Sequence, residues 1–410
     1  MRIIKFVLKF NLRSVILYLY KLSDLLISGL SMYILYIFLP SNIWIISERA
    51  NCASDNGIIF FKYLNEKHGQ LKSYYILDKN SPCIEQVNAI GRVLIRNSFK
   101  HKLLFLKCAV IATTEKGIIE PWGCNLYYHF FSFMFPKKLR IFLQHGVSDK
   151  DVSYVYGKNV SYFDLFVCSS VREKNFIENT FGYSSHEVVN TGMPRFDKLK
   201  FMFREKENII LLAPTWRKYL SHADYNEYEF FLKSDYFVQL DKILNDRNLH
   251  ELLKKHSFRL IMTTHHGVKN FSKHFKSKSE LIQIQTIDDS NISDLLMRSR
   301  IFITDYSSLH FDAAYCGNIN LYFQHDIEQF MNEHAGQSYF SYKRDGFGKV
   351  AKDSDELIEN IKLILENKQN FTIYENRAEK FFTYKDDKNC ERLYELVSMN
   401  LKKEYKGRLL

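Results

Sequence analysis

The sequence predicts an α/β protein in which two parallel β-sheets are each covered by helices on both faces. Three observations support this fold class. With 410 residues the chain is too long for one ordinary domain and fits two of about 150–200 residues. It is 46% hydrophobic and 25% charged, which is typical of a globular protein. Short apolar runs alternate with segments of helical length, as they do in doubly wound sheets.

The predicted strands of the first half lie between residues 42 and 192. Helix-length segments separate them, such as Gly57–Lys67 after the first strand. The strands are Asn42–Ser47, Ser73–Leu77, Val93–Arg96, Ala109–Thr113, Arg140–Gln144, Leu165–Ser169 and Glu187–Gly192.

The pattern restarts after the charged segment Lys200–Asn208, which we interpret as a linker. The strands that follow are Asn208–Trp216, Phe258–His266, Leu281–Gln285, Ile301–Asp305 and Ile319–Phe323. We therefore expect one domain at 41–203 and a second domain at 204–400. Two doubly wound halves predict a cleft between them, with ligands at the carboxyl ends of the strands.

Residues 1–40 differ from the rest and predict a membrane-associating helical segment. Met1–Tyr20 carries four basic residues among bulky apolar ones and no acid. Leu25–Leu39 is an uncharged run of 15 residues ended by Pro40, shorter than the ~18–20 residues that span a bilayer. We expect a basic amphipathic segment and an apolar helix in the cytoplasmic leaflet. Two helices that cover a soluble core are the alternative.

The net charge of +11 is spread along the chain and favours anionic partners, such as phosphorylated substrates or the inner membrane surface. A generic basic surface is the alternative. Nucleic acid is not expected, because no recognisable nucleic-acid-reading module occurs. The seven cysteines are scattered without a C-x-x-C pair, which predicts free thiols in a reducing cytosol.

Polar residues follow several predicted strands. In "LQHGVSDKD" (Leu143–Asp151), His145 is a candidate base near neutral pH, and Gly146 lets backbone approach a ligand. An ordinary loop histidine is the alternative. In "NTGMPRFDKL" a rigid turn presents Arg195, whose guanidinium suits phosphate. A pair between Arg195 and Asp197 is the alternative there.

Two further motifs also stand at strand ends. In "LLAPTWRKYL", Thr215 and Arg217 are hydrogen-bond donors, and Trp216 is interpreted as a core anchor rather than a stacking surface.

The stretch "TTHHG" places His265 and His266 at the end of another strand, and "TDYSS" contributes Asp305, Ser307 and Ser308. One of the two serines is expected to cap a helix that runs to Cys316, with Gly317 as the C′ residue. The same helix start also suits a phosphate.

Taken in order, "QHG…GMPRFD…APTWR…TDYSS-x-x-FD" resembles the CDP-glycerol glycerophosphotransferase family, which includes teichoic acid primases and polymerases and related capsule enzymes. The resemblance runs from about Trp44 to about Leu363. Its specific motifs are "ITDYSS-x-x-FD" and "APTWR", and it includes "YFQHDIEQF", in which Asp326 matches.

The resemblance implies a GT-B fold, with two Rossmann-like domains that face a cleft, and peripheral association with the cytoplasmic face of the membrane. It makes 41–203 the acceptor-side domain and 204–400 the nucleotide-donor domain. It implies transfer of glycerol phosphate from CDP-glycerol to a hydroxyl of a lipid-linked glycan, with release of CMP. His145 matches the family's first essential histidine and His265 the second, with His266 as the alternative in that register. The residues expected to bind substrate are Gly146, Arg195, Thr215, Arg217, His266, Asp305, Ser307 and Ser308. No metal or other cofactor is expected, because no acidic cluster has metal-ligand spacing.

Two departures from the family pattern leave the donor polyol and the acceptor open. Gln144 and Val147 replace the outer residues of the polymerases' W-H-G-T, and Phe196 replaces the asparagine of P-R-N-D. A GT-B glycosyltransferase that uses a nucleotide sugar is the alternative enzyme. A membrane-bound nucleotide-sensing module without catalysis is the non-enzymatic alternative.

Overall fold

The computed structural model describes residues 12–201, 206–217, 220, 228–264, 269–286, 289–334, 338–368 and 370–406. The chain divides into two compact units. Unit 1 comprises Met1–His145, Lys158–Phe166 and Tyr394–Leu410, and unit 2 comprises Gly146–Gly157 and Val167–Leu393. The domain limits expected at 40 and 203 stay predictions, and residues 202–205 of the expected linker lie outside the described part.

The first sheet contains seven strands. They are β1 (Ile43–Ser47), β2 (Lys72–Leu77), β3 (Arg92–Ile95), β4 (Val110–Thr113), β5 (Leu139–Phe142), β6 (Leu165–Cys168) and β7 (Val188–Asn190). Their order is β3-β2-β1-β4-β5-β6-β7, and the pairings from β3 to β6 are parallel. All seven strands were expected from the sequence.

Helices precede, connect and follow the strands of this sheet. They are α1 (Leu12–Ile34), α2 (Asn56–Lys67), α3 (Ile84–Asn88), α4 (Phe99–Lys107), α5 (Cys124–Phe130), α6 (Ser153–Tyr156), α7 (Lys158–Ser161), α8 (Val171–Phe181) and α9 (Arg195–Phe201). A 3₁₀ turn at Ser132–Met134 follows α5.

The second sheet lies in unit 2 and contains six parallel strands. They are β8 (Glu207–Leu212), β9 (Arg259–Thr264), β10 (Ile282–Thr286), β11 (Ser299–Thr304), β12 (Ile319–Phe323) and β13 (Gly348–Ala351), in the order β10-β9-β8-β11-β12-β13. Strand β13 was not expected, because "GKVA" is a short edge strand without a continuous apolar run. The predicted doubly wound arrangement is confirmed.

Helices cover both faces of the second sheet. They are α10 (Tyr228–Lys233), α11 (Asp235–Asn245), α12 (Arg247–Lys255), α13 (Lys269–Ser272), α14 (Asp289–Arg298), α15 (Leu309–Tyr315), α16 (Ile327–His334), α17 (Tyr342–Asp345), α18 (Ser354–Leu365) and α19 (Thr372–Phe381). The last helix, α20 (Asn389–Lys406), belongs to unit 1 from Tyr394 onward, where the Tyr394 ring stacks on His68. Side chains of β8 alternate between two apolar clusters, with Ile210 and Leu212 in one and Ile209 and Leu211 in the other. Burial on both faces explains why this strand is a continuous apolar run.

The N-terminal segment differs in one respect from the prediction. Helix α1 is continuous through residues 20–25, where two separate segments were expected, because no glycine or proline interrupts it there. Asp24, in the middle of α1, connects the helix to the rest of unit 1. Its carboxylate accepts hydrogen bonds from Lys102 Nζ at 2.8 Å and Trp122 Nε1 at 2.7 Å. Leu25 and Met32 are buried in the core of unit 1, whereas most other apolar side chains of α1 are exposed.

Candidate active site

In unit 1 a tightly held turn after β5 presents His145. Gln144, directly before it, has a φ of +62°, a left-handed conformation that is uncommon for a residue other than glycine. The side-chain amide of Asn56 donates to the carbonyl oxygens of Leu143 at 3.2 Å and Gln144 at 2.9 Å. These two hydrogen bonds hold the backbone that positions the histidine.

The His145 imidazole lies between a carboxylate and a guanidinium. Its Nδ1 is 2.5 Å from Oδ2 of Asp55, and its Nε2 is 3.2 Å from Nη2 of Arg49. A carboxylate accepts and a guanidinium donates, so these partners assign the proton of the neutral ring to Nδ1 and leave Nε2 as the acceptor. The ring is about half exposed, whereas Asp55 is mostly buried. Orientation of this kind is what a general base requires.

Glu48, the first residue after β1, holds Asp55 in place. Its carboxylate accepts from the backbone N–H groups of Ser54 at 2.8 Å, Asp55 at 2.9 Å and Ile58 at 2.8 Å. Burial, together with the nearby charge of Asp55, raises the pKa of Glu48 to about 7. Asp55 in turn caps α2 by accepting from Asn56 N.

Glu48, Arg49 and Asp55 were not predicted as site residues from the sequence. The available signal was their position, since they stand between the end of β1 and the start of α2, where ligand-binding residues of doubly wound sheets are found.

In unit 2, Arg195 at the start of α9 forms a bidentate ion pair with Asp312 of α15. Nε lies 2.7 Å from Oδ1 and Nη2 lies 2.7 Å from Oδ2. The alternative partner, Asp197, instead accepts from the backbone N–H groups of Asn389 and Cys390 at 2.8 Å. Asp312 therefore fixes the direction of the guanidinium.

Gly146, Arg195 and Ser308 come together in unit 2. A Cβ placed on Gly146 would lie 2.7 Å from Ser308 Oγ and 3.8 Å from Arg195 Nη2. Because real Cβ atoms essentially never approach another heavy atom within 3.0 Å, only glycine fits here without a shift. Three of the residues expected to bind substrate thus share one small region.

The two serines of "TDYSS" differ in their contacts. Ser307 Oγ accepts from Leu309 N at 3.3 Å, while Ser308, at the N-cap position of α15, makes no side-chain capping bond. Gly317 has a φ of +70° and occupies the C′ position as expected. Helix α15 has only seven residues, so the hydroxyl and backbone donors matter more here than a helix dipole.

Arg217 and Asp305 lie inside unit 2. Arg217 is 1% exposed, and its guanidinium bonds Asp305 Oδ2 at 2.9 Å and both oxygens of Asp326 at 2.6 and 3.0 Å. Asp305 Oδ1 accepts from the backbone N–H of Thr215 at 2.9 Å. Burial opposes the charge of Arg217, but the two carboxylates outweigh burial and raise its pKa. The cluster binds the loop after β8 to the loops after β11 and β12 and turns the Arg217 charge inward, away from any ligand.

Hydroxyl groups without a partner among the described residues lie at the carboxyl ends of β8 and β9. They belong to Thr215, Thr263 and Thr264, and their Oγ1 atoms are buried. His265 and His266 follow directly and lie outside the described residues. A buried hydroxyl of this kind is a candidate donor for a ligand oxygen.

Two aromatic residues of these motifs belong to the core. Phe196 is buried and stacks on Tyr315 with ring centroids 4.2 Å apart, so this departure from the family pattern fills space rather than contacting a ligand. Trp216 packs against the apolar cluster around β8, which confirms its interpretation as a core anchor. Within the described ranges, no group of three or more His, Cys, Asp or Glu side chains is arranged to hold a metal ion.

Two doubly wound parallel sheets with polar residues at their carboxyl ends define an α/β protein of the GT-B type. The wall teichoic acid polymerase TagF has the same fold, with a TM-score of 0.65 at 14% identity over 96% of this chain and 99% of that structure. Residues 31–399 match the model of the CDP-glycerol:poly(glycerophosphate) glycerophosphotransferase family. The chain belongs to this family.

Relatives within the family act in teichoic acid synthesis. The minor teichoic acid biosynthesis protein GgaB of Bacillus subtilis is 28% identical over 379 residues, which cover 89% of this chain and 40% of GgaB. A teichoic acid glycerol-phosphate transferase of Staphylococcus aureus is 24% identical over 62% of this chain and 64% of its own length. The chain thus spans less than two thirds of either relative.

Proposed function

We propose that this chain transfers glycerol phosphate, or a related polyol phosphate, from CDP-glycerol to a hydroxyl of a lipid-linked glycan acceptor in teichoic acid or capsular polysaccharide synthesis. Family membership supports the reaction class. The observation that carries the chemistry is the His145 imidazole held between Asp55 and Arg49. Nε2 accepts from Arg49 in this structure, and a substrate hydroxyl that takes the place of that donor can pass its proton to Nε2.

In the proposed reaction the acceptor oxygen forms a bond to the phosphorus that carries glycerol, and the bond from that phosphorus to the CMP oxygen breaks. The acceptor proton passes to Nε2 of His145, and CMP leaves as an anion. Such a transfer depends on alignment and charge stabilisation more than on covalent chemistry. Asp55 stabilises the imidazolium through Nδ1–H.

Donor phosphates are assigned to Gly146, Ser307 and Ser308, with Arg195 beside them. Gly146 supplies backbone that a ligand can approach closely, and Ser308 supplies a hydroxyl that is not used for capping. His265, or His266 in the other register, is assigned to the same phosphates. Protein donors are expected to replace a metal, so turnover should survive a chelator.

Peripheral attachment to the cytoplasmic face of the membrane is part of this proposal. Arg13–Ile34 is the one helix among the described residues long and apolar enough to cross a membrane, and 22% of its most apolar window is buried. A spanning helix would place Asp24 at depth in hydrocarbon, which is costly. Because Asp24 is fastened to Lys102 and Trp122, we infer that α1 lies along the membrane surface with its exposed apolar side in the lipid.

A donor comparison tests the proposal. The purified chain is incubated with CDP-glycerol, CDP-ribitol or a UDP-sugar, with and without a lipid-linked acceptor, and CMP or UDP release is measured. Acceptor-dependent CMP release from a CDP-polyol is expected. Release of UDP alone would favour a glycosyltransferase, and release from no donor would favour a binding module.

A further inference from the structure

A cavity of about 600 Å³ in unit 2 is not used by the proposed mechanism. Tyr306 after β11, Gln324 after β12 and the strand β13 contribute to its lining, together with residues of α16, α17 and α19. Its size is that of a small-ligand site.

The cavity is strongly cationic. Five of its described lining residues are basic and none is acidic, namely Lys150, Lys343, Lys349, Lys352 and Arg377. None of the five forms an ion pair with any described residue, and Lys150 and Arg377 donate to the carbonyl oxygens of Tyr306 and Gly346 instead. Unbalanced positive charge at a concave surface concentrates anions there.

Aromatic side chains form another part of the wall. Tyr306 stacks on Phe330 with ring centroids 3.8 Å apart, and Tyr342 and Tyr374 also line the cavity. Lys150 Nζ donates to the Tyr306 carbonyl oxygen at 2.7 Å and lies 5.6 Å from the Phe330 ring centroid. Apolar faces beside fixed cations suit a ligand that has C–H surface as well as negative charge.

The amide and serine side chains of the lining are already engaged, whereas the hydroxyl of Tyr342 is buried without a partner among the described residues. Gln324 donates to the Asp305 carbonyl oxygen at 3.1 Å, Ser338 Oγ donates to the Phe340 carbonyl oxygen at 3.3 Å, and Ser341 Oγ accepts from Arg344 N at 3.3 Å. The cavity thus offers charge and apolar surface, but few groups that could distinguish the hydrogen-bonding edge of a nucleobase.

We propose that this cavity binds a phosphate ester of a polyol or sugar, namely a phosphate-bearing unit of the acceptor chain. Assigning the ligand to the acceptor rests on the proposed function. The cations bind the phosphate, and the aromatic walls contact the carbon skeleton. Lys150 and Tyr306 link the cavity to the H-G loop and to the "TDYSS" motif, which is where an acceptor has to be held.

Isothermal titration of the full chain with synthetic tetra(glycerol phosphate), at low and high salt, tests this assignment. Wild type should bind, and more weakly at high salt. The double variant Lys349→Ala/Lys352→Ala should bind about 5- to 30-fold more weakly, from two partly exposed charge contacts. Its affinity for CDP-glycerol should not change, and Lys349→Arg/Lys352→Arg should retain binding.

Lys276→Ala/Lys278→Ala is the matched control, because these lysines precede β10, at the opposite edge of the same sheet. The proposal is overturned if wild type does not bind the oligomer, or if the control weakens binding as much. It is also overturned if CMP competes with the oligomer and loses affinity in the same variant, because the cavity would then hold the nucleotide. Oligomer binding without CMP release from CDP-glycerol would instead refute the proposed function.

Discussion

Nδ1 of His145 lies 2.5 Å from Oδ2 of Asp55, although the two residues are 90 positions apart in the chain. Parallel pairing of β1 with β4 and of β4 with β5 places the turns after these strands side by side, at the carboxyl ends of the strands. The pair therefore depends on strand order and not on sequence spacing.

Replacing His145 should remove the base. We expect His145→Ala to lower turnover about 10²–10⁴-fold. Asp55→Asn should lower turnover over the same range, because an amide N–H donated to Nδ1 favours the tautomer whose proton is on Nε2 and so removes the acceptor nitrogen. Steady-state kinetics with CDP-glycerol measure both. The double variant should be no worse than His145→Ala alone, and additive losses would mean that Asp55 acts independently of the histidine.

Gly146→Ala should prevent a donor phosphate from approaching the backbone at residue 146 closely. The new methyl group would lie 2.7 Å from Ser308 Oγ, so the serine must move. We expect weaker CDP-glycerol binding, measured by calorimetry, with an unchanged melting temperature. Ser308→Gly removes the obstructing atoms, so the double variant should fit the methyl group. If the single variant binds the donor normally, this region does not hold the phosphates.

Arg217→Ala should destabilise the fold, because it leaves Asp305 and Asp326 buried without their counter-ion. Removal of one partner of a buried ion pair costs about 3–5 kcal/mol. Urea unfolding followed by circular dichroism measures the free energy. The exposed Arg247→Ala serves as control and should change it by less than about 0.5 kcal/mol. If both variants lowered the free energy of unfolding equally, the buried ion pairs would contribute no more to stability than an exposed arginine does.

His101 should make unit 1 less stable in acid. Burial lowers its pKa to about 4, and its Nδ1 accepts from Asn97 N at 2.9 Å. Between the usual pKa of about 6.5 and 4 the unfolded chain binds the proton and the folded chain does not, so stability falls as pH falls through this window. The full effect is about 3 kcal/mol.

The measurement is urea unfolding from pH 7.5 to pH 4 for wild type and His101→Gln. Subtracting the two curves removes groups such as Glu48, whose raised pKa acts in the opposite direction. Wild type should lose more stability than the variant over this range. Parallel curves would contradict the assignment.

Membrane binding should depend on the 3₁₀ turn Ser132–Met134, which follows α5, as well as on α1. Phe133 is 84% exposed there, and Tyr33 of α1 stacks on nearby Phe135 with centroids 6.0 Å apart. Phe133→Glu should weaken binding to anionic phospholipid vesicles by about tenfold or more, because burial of a phenyl group in lipid contributes about 1.5–3 kcal/mol. Flotation measures it. Tyr154→Glu, at a residue 78% exposed in unit 2, is the control and should bind like wild type.

Much of the fold could be predicted from the sequence, because strands buried on both faces appear as continuous apolar runs and the helices between them fix parallel pairing. The edge strand β13 was not predicted, since it has few apolar residues. The strand-end motifs predicted His145, Gly146, Arg195 and the two serines as site residues, because in such folds ligand-binding residues follow strands. The structure brings Gly146, Arg195 and Ser308 together.

Only the tertiary structure determined which carboxylates pair with Arg195, Arg217 and His145. Arg195 pairs with Asp312, 117 residues away, rather than with Asp197. Arg217 turns inward to Asp305 and Asp326, although its motif predicted a ligand contact. Asp55 contacts His145 at the carboxyl ends of the strands of the first sheet. Sequence periodicity records which face of an element is buried, whereas the choice of a charged partner depends on distances that strand order and loop packing set between remote parts of the chain.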